Sequence, residues 1–265
     1  MGETQSTGTC CLCGQKFSRR AMSKHLQKCR IESADKVGDP KGKAKVQGPT
    51  KTLHLFVQGS PEYWLHLEAA GDATLEQLDQ FLRKIWLECC GHCSDFEIEG
   101  VAYTPMPSSD YRTEKSLRVA LDRVLREGQK FQHTYDYGST TRLELKVVGT
   151  REAAFPARFI QLQARNDPPE ILCVDCGAPA VLVCTQCLWD GAGWLCETCA
   201  QNHECGDEYC LPVVNSPRCG VCGYTGEDKI AGPGRTRRGY SRSRRHWVWG
   251  RVDHAPFSQA HETTK

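Results

Sequence analysis

Hydrophobic periodicity is strongest between about residues 52 and 155. Two short runs with strand composition, LHLFV at 53–57 and YWLHLEA at 63–69, flank the turn signal QGSPE and predict a β-hairpin. Thr74 is a suitable N-cap for a helix that we expect to end near residues 89–91. The apolar positions that recur at helical spacing behind it are Leu75, Leu78, Phe81, Leu82, Ile85 and Trp86.

The pattern continues with alternating elements. FEIEGVAY at 96–103 alternates like one strand, and SLRVALDRVLREG at 116–128 has the period of a second helix that stops at its glycine. KFQHTYDYG and TTRLELKVVG predict a last hairpin around Gly138 and Ser139. This order predicts an α+β fold, with an antiparallel-dominated sheet and its helices on one face.

Several motifs in this region resemble a known family. They are the hairpin with Trp64, the helix TLEQLDQFLRKIWL, HCSDF at 92–96 and above all YDYG at 135–138. On these motifs residues 52–155 resemble the plasmid Ri open-reading-frame-three-like family, whose members are often encoded on mobile elements. The family usually has an acidic residue and an aromatic after that glycine, where this chain has Ser and Thr at 139–140. The resemblance implies an α+β fold and little about activity, because the family lacks a well-defined biochemical role.

Cysteine content adds metal chemistry to this picture. The chain has 17 cysteines, no apolar run long enough to span a membrane, and an N-terminus unlike a signal peptide. We therefore expect a cytoplasmic protein with no membrane partner, in whose reducing surroundings clustered thiols bind metal instead of forming disulfides. Fourteen of the cysteines fall within residues 10–29 and 173–222.

The first cluster has the spacing of a ββα zinc finger. Two cysteines two residues apart form a knuckle, Phe17 and Met22 provide a small apolar core, and a histidine and a cysteine follow one helical turn apart. Cys11 is the surplus thiol. The last ligand is a cysteine, which distinguishes this CCHC type from the common DNA-binding finger. The predicted zinc ligands are Cys10, Cys13, His25 and Cys29.

The second cluster contains four CxxC pairs and predicts at least two more zinc ions, about three in all. It is similar to B-box and related cross-brace fingers, in which the first and third pairs share one ion, and the second pair and the last ligands share another. A ribbon-like alternative joins the first pair to the last and leaves the middle two pairs together. We favour the cross-brace because it uses His203. The candidate ligands are Cys173, Cys176, Cys184, Cys187, Cys196, Cys199, His203 and, beyond it, Cys205, Cys210, Cys219 and Cys222.

A smaller group, Cys89, Cys90, His92 and Cys93, suggests either a further metal site or a cysteine–histidine nucleophile. A catalytic cysteine needs a depressed pKa and an orienting partner, and the sequence identifies neither. We therefore expect a structural role at a helix end and no catalytic activity. Asp136, between two tyrosines, is likewise typical of a turn.

The net charge of +2 conceals an uneven distribution: +7 over residues 1–51, −12 over 52–228 and +7 over 229–265. Basic, arginine-rich ends can pair with phosphate and stack on bases, so RNA or DNA is a candidate partner. A solvated tail or a localisation signal explains the same composition. The basic residues concerned are Arg19, Arg20, Lys24, Arg235, Arg237, Arg238, Arg242, Arg244 and Arg245.

The predicted organisation is a CCHC finger at 1–31, a flexible basic linker at 32–51, an α+β domain at 52–165, a separate cross-braced zinc module at 166–228 and a disordered basic tail at 229–265. We expect a non-enzymatic interaction or scaffold protein whose acidic middle binds an unidentified protein. The alternative is a nucleic-acid-binding protein that engages RNA or DNA through its basic ends, linked to a mobile element.

Overall fold

The computed structural model describes residues 6–34, 49–108 and 114–226. The predicted tail at 229–265 and most of the predicted linker lie outside the described residues. The strands of a large sheet are β1 (Thr7–Cys10), β2 (Lys16–Ser18), β3 (Thr50–Gln58), β4 (Trp64–Ala70), β5 (Ser94–Ile98), β6 (Val101–Thr104), β7 (Glu114–Ser116), β8 (Lys130–Tyr135), β9 (Thr141–Ala153) and β10 (Ile160–Asn166). A small sheet contains β11 (Leu182–Cys184), β12 (Trp194–Leu195) and β13 (Cys210–Pro212).

Helices are few and mostly short. They are α1 (Arg19–Ala34), α2 (Leu75–Leu82), α3 (Leu121–Val124) and α4 (Glu197–Ala200), with a π-helical turn at Arg83–Leu87 and 3₁₀ turns at Leu188–Asp190 and Asp207–Tyr209. No helix in the described ranges is long and apolar enough to cross a membrane.

The fold is mixed α/β, with a large, mostly antiparallel sheet. Its strand order is β2-β1-β10-β4-β3-β9-β8-β5-β6-β7, and of these neighbours β6 and β7 run parallel. The predicted hairpins β3–β4 and β8–β9 are both present. The predicted helix begins as expected at Thr74, whose hydroxyl accepts from Gln77 N in a capping box, and its π-helical extension ends at Leu87.

Side chains of β3 alternate between two covered faces of the sheet. Leu53, Leu55 and Val57 join the main apolar core together with residues of α2 and α3. His54 and Phe56 point to the opposite face. All seven residues of β4 are buried, which is the pattern of a strand covered on both sides.

The opposite face is covered by the N-terminal segment. β1 pairs with β10, with Gly8 opposite Asn166, so the two short strands of the predicted finger extend the large sheet. Met22 and Leu26 of α1 pack in a second apolar cluster with Trp64. The helices α2 and α3 therefore share one face as predicted, while α1, predicted to belong to a finger outside the sheet, covers the other.

Two predicted elements differ from the structure. The single strand over 96–103 is wrong, because Glu99 and Gly100 have φ of 52° and 76° and form a tight turn between β5 and β6. The helix over 116–128 is also wrong, because only the turn of α3 is helical and Leu117 N donates to Thr104 O outside it.

Burial explains why residues 116–128 have the hydrophobic period of a helix. Leu117, Leu121 and Leu125, spaced four residues apart, are all buried in the main core. The hydrophobic period therefore indicates which residues are buried in the core. An irregular segment can bury leucines at that spacing as well as a helix can.

Candidate metal centres

Four groups of cysteine and histidine side chains in the described part of the chain could each hold a metal ion. Within each group the ligand atoms all lie within 4.8 Å of one another. Tetrahedral zinc with sulfur ligands at about 2.3 Å places two sulfurs about 3.8 Å apart, so the spacing suits such an ion. The groups are Cys10, Cys13, His25 and Cys29 (the N-terminal group), Cys173, Cys176, Cys196 and Cys199 (the first brace group), Cys184, Cys187, His203 and Cys205 (the second brace group), and Cys89, Cys90, His92 and Cys222 (the joint group).

The N-terminal group unites the four ligands predicted from the first cluster. Cys10 Sγ lies 3.9 Å from Cys29 Sγ, and Cys13 Sγ lies 3.3 Å from His25 Nε2. The knuckle is closed by Gly14, which has φ of 74° and donates from its N–H to Cys10 O at 2.8 Å. A left-handed φ at this position favours glycine, so the sequence Cys-x-x-Cys-Gly folds locally into a turn that presents both sulfurs.

Apolar side chains of β2 and α1 pack around the ligands of this group. The ring of His25 stacks on Phe17 with centroids 4.0 Å apart, and Met22 is fully buried. Burial raises the pKa of the Cys10 thiol to about 12. A metal ion binding there must therefore displace the thiol proton.

The two brace groups interleave along the chain. The first and third CxxC pairs meet, and the second pair meets His203 and Cys205. This is the arrangement of the cross-brace alternative, and the ribbon-like pairing is not formed. Cys176 and Cys196 have sulfurs 3.6 Å apart, and Cys187 Sγ lies 3.5 Å from both His203 Nε2 and Cys205 Sγ.

Backbone donors favour the thiolate at the first cysteine of the leading CxxC pair in each brace group. Burial alone would raise the pKa of Cys173, but the N–H groups of Cys196, Cys176 and Asp175 lower it to about 6. Cys184 is similar: burial opposes ionisation, while backbone N–H groups, led by that of Cys187, lower its pKa to about 7. The thiolate is the form that binds metal.

Two predicted ligands belong to none of the groups found in the described residues. Cys210 Sγ donates to Gly206 O at 3.7 Å, and burial followed by the nearby Cys184 raises the pKa of Cys210. Cys219 is buried, which raises its pKa, and its sulfur accepts from Val214 N at 3.3 Å. Both behave as thiols in hydrogen bonds.

The joint group is the one that sequence analysis did not assemble. It takes Cys89, Cys90 and His92 from the turn after the π helix, and Cys222 from the last CxxC pair of the predicted zinc module at 166–228, called the brace segment below. Cys90 Sγ lies 3.8 Å from Cys222 Sγ across 132 residues of sequence. Cys93, singled out with its neighbours, lies outside the group. The local CCxHC pattern was the available signal, and no spacing rule connects it to Cys222.

Asp136 of the YDYG motif lies beside the joint group. It has φ of 64° and accepts from the backbone N–H of Gly138 and Ser139, which agrees with the predicted turn. Its Oδ2 also accepts from Arg218 Nη2 at 2.6 Å, and that bond holds the pKa of Asp136 below its usual range. The carboxylate is thus a structural anion held by a buried arginine.

The basic candidates separate into described and undescribed residues. On α1, Arg20 and Lys24 are exposed, whereas Arg19 is half-buried and donates to Pro61 O at 3.4 Å. Lys28, one turn further on, is also exposed and was missed. The tail residues Arg235, Arg237, Arg238, Arg242, Arg244 and Arg245 lie outside the described residues.

Part of this chain matches a known protein family. A search of curated proteins found no match. One solved structure that is similar is the crystal structure of a protein of unknown function, MM3350, from Methanosarcina mazei Go1, at 15% identity and a TM-score of 0.39, covering 50% of this chain and 76% of that one. Residues 53–180, from β3 to just beyond the first CxxC pair, match the Plasmid pRiA4b ORF-3-like protein family, as the sequence motifs predicted.

Proposed function

We propose that this chain is a zinc-binding interaction or scaffold protein without catalytic activity of its own. The observation that carries the proposal is the set of complete four-ligand groups, each a combination of three or four cysteines with at most one histidine. Structural zinc sites use such closed ligand sets, whereas catalytic zinc sites keep one position for water or substrate. Zinc in these groups stabilises turns and short strands that bury little apolar surface by themselves.

Exposed apolar side chains of the brace segment support a protein partner. Trp189 is 71% exposed, and Leu172, Val174 and Val181 are also exposed on neighbouring segments. Aromatic residues are enriched where proteins bind one another. The segment also belongs to the region with net charge −12, which disfavours phosphate backbones.

Zinc content is the first test of this proposal. Native mass spectrometry of the full chain, purified under reducing conditions with zinc, is expected to find at least three bound ions. A chain that binds none or one would overturn the proposal, because at least two of the N-terminal and brace groups would then be empty.

The partner is tested by quantitative affinity capture with the full chain. Trp189→Ser is expected to reduce the recovery of specific partners severalfold. Met106→Ser is the matched control, because Met106 is 86% exposed but lies outside the brace segment. Equal recovery by both variants and the parent chain would contradict a role for this surface.

A second candidate function is nucleic-acid binding, favoured by one observation on α1. Arg20, Lys24 and Lys28 are exposed and spaced four residues apart, so they form one basic stripe. Each phosphate contact steepens the salt dependence of binding by about one unit of log–log slope.

Salt titration distinguishes this second function. Replacing Arg20, Lys24 and Lys28 together by Ser is expected to reduce the slope for single-stranded RNA or duplex DNA by about three units. The matched control replaces Lys130, Arg142 and Lys146, three exposed cations of β8 and β9. If both triple variants bind with the parent's slope, α1 does not contact phosphate.

A further inference from the structure

We propose that the joint group is a fourth zinc site, which fastens the last described segment of the chain to the sheet. This site is additional to the three zinc sites predicted from local spacing. The proposal does not depend on whether the chain binds a partner protein. Three ligands, Cys89, Cys90 and His92, come from the turn that precedes β5, and the fourth, Cys222, comes from the far end of the described chain.

The distances in the group fit tetrahedral zinc. Cys90 Sγ lies 3.8 Å from both Cys89 Sγ and Cys222 Sγ, which is the separation expected for two thiolates on one zinc ion, about 3.8 Å. His92 Nε2 lies 3.0 Å from Cys90 Sγ and 3.2 Å from Cys222 Sγ, somewhat closer than the roughly 3.6 Å of a zinc-bound pair. Cys90 and Cys222 are exposed, so these side chains have room to separate by that amount.

The turn that carries three of the ligands is held in place by Arg83. Its guanidinium donates to Glu88 Oε2 at 2.7 Å and to His92 O at 2.5 Å. Glu88 in turn accepts from Gly91 N at 2.6 Å, and Gly91 has φ of 84°. The ligands are therefore presented by an ordered turn, which lowers the entropy cost of binding an ion.

Cys222 is brought to this turn by contacts of the preceding residues. Ser216 Oγ donates to Trp86 O at 2.7 Å, and Arg218 is fully buried. Cys222 itself has φ of 50°, unlike the second cysteines of the other CxxC pairs. This left-handed turn directs Cys222 toward the joint group while Cys219 remains a buried thiol.

Arg218 links the group to Asp136 by hydrogen bonds. Arg218 Nη2 donates to Cys89 Sγ at 3.4 Å and to Asp136 Oδ2 at 2.6 Å. Zinc with three thiolates and a neutral imidazole carries one net negative charge, and Arg218, which also pairs with Asp136, donates to one of these thiolates. Such outer hydrogen bonds orient ligands and tune affinity in zinc sites. Binding of Zn²⁺ displaces the protons of the three thiols, so no oxidant or reductant is needed.

Ion counting on the full chain tests the proposal. The parent chain is expected to bind four zinc ions by native mass spectrometry, while Cys222→Ser and His92→Gln are each expected to bind three. Cys93→Ser is the matched control and should keep four, because Cys93 is an exposed cysteine of the same turn that lies outside the group.

The outcomes separate this site from the proposed function. Three ions in the parent chain, with no loss in Cys222→Ser, would overturn the fourth site and leave the other three standing. Four ions retained in Cys222→Ser and His92→Gln would overturn it as well. None or one in the parent chain would overturn both proposals.

Two further measurements check that the ion occupies the joint group and that the variants fold. Cobalt substitution should give thiolate-to-cobalt absorption that is weaker in Cys222→Ser than in Cys93→Ser. Amide exchange over residues 214–224 should be faster in Cys222→Ser alone, while exchange in β3 and β4 stays unchanged. Equal cobalt absorption and equal exchange in both variants would contradict the proposal.

Discussion

Arg218 Nη2 donates a hydrogen bond to Asp136 Oδ2 at 2.6 Å across 82 residues of sequence, and both residues are buried. The guanidinium also lies 4.8 Å from the centroid of the Tyr135 ring. The pair joins the YDYG turn to the segment that follows the brace groups. A buried pair of this kind makes each partner depend strongly on the other.

Removing one partner should therefore destabilise the fold. We expect Arg218→Gln to lower the free energy of unfolding by about 3 kcal/mol, because the Asp136 carboxylate stays buried without its cation. Denaturant unfolding at pH 7 measures the change. Arg142→Gln, at an exposed position of β9, is the control and should change stability by less than about 0.5 kcal/mol. If Arg218→Gln and Arg142→Gln changed the free energy of unfolding equally, the pair of Arg218 and Asp136 would not stabilise the fold.

Two buried histidines should make stability depend on pH. His54 Nε2 lies 2.9 Å from His66 Nδ1 beneath α1, and burial lowers the pKa of His54 to about 2 and that of His66 to about 3. Both are neutral in the folded chain, while the unfolded chain binds protons below about pH 6.5. Their stabilising effect is therefore complete above pH 6.5 and declines as pH falls toward the folded values.

Unfolding free energies between pH 7 and pH 5 check this expectation. His54→Gln removes one of the two titrating groups, so its stability should fall less steeply with decreasing pH than that of the parent chain, by up to about 1.4 kcal/mol per pH unit. His133→Gln is not a suitable control because His133 is hydrogen-bonded to Asp79. Glu144→Gln, exposed on β9, serves instead, and an identical slope for His54→Gln and Glu144→Gln would contradict the prediction.

Close packing at Gly8 should make that position intolerant of a side chain. A Cβ there would overlap both the Trp64 indole and Arg165 O, where β1 passes β10. We expect Gly8→Ala to lower the unfolding free energy by about 1–3 kcal/mol, because the backbone must move to relieve the overlap. Gly149→Ala is the control, since no atom lies within 4 Å of a Cβ at Gly149. Thermal denaturation of the two variants would reveal a similar melting temperature if the contact were unimportant.

Removal of zinc should affect the brace segment before the sheet. The small sheet and α4 carry ligands of the brace groups, Cys184 in β11 and Cys199 in α4, and their cluster of buried side chains is small. The main core, in contrast, is built from many buried leucines. After treatment with a chelator, we expect amide exchange to accelerate in β11–β13 while β3, β4 and β9 stay protected. Uniform acceleration along the chain would contradict this division.

Predictions from local spacing agreed with the structure where the geometry of an element depends on residues that are close together in sequence. CxxC knuckles, the Thr74 cap and the hairpin of β3 and β4 each depend on residues close together along the chain. Patterns failed at 96–103 and 116–128, because a period of burial does not distinguish a continuous element from two short ones.

The sequence by itself determined the chemistry of this protein: which segments carry thiols at zinc spacing, which are apolar enough to form a core, and where charge accumulates. Only the tertiary structure decided that β1 extends the sheet, that Arg218 meets Asp136, and that Cys222 joins Cys89, Cys90 and His92. The physical reason is that local spacing constrains neighbours along the chain, whereas contacts across 80 to 160 residues follow from how the whole chain packs.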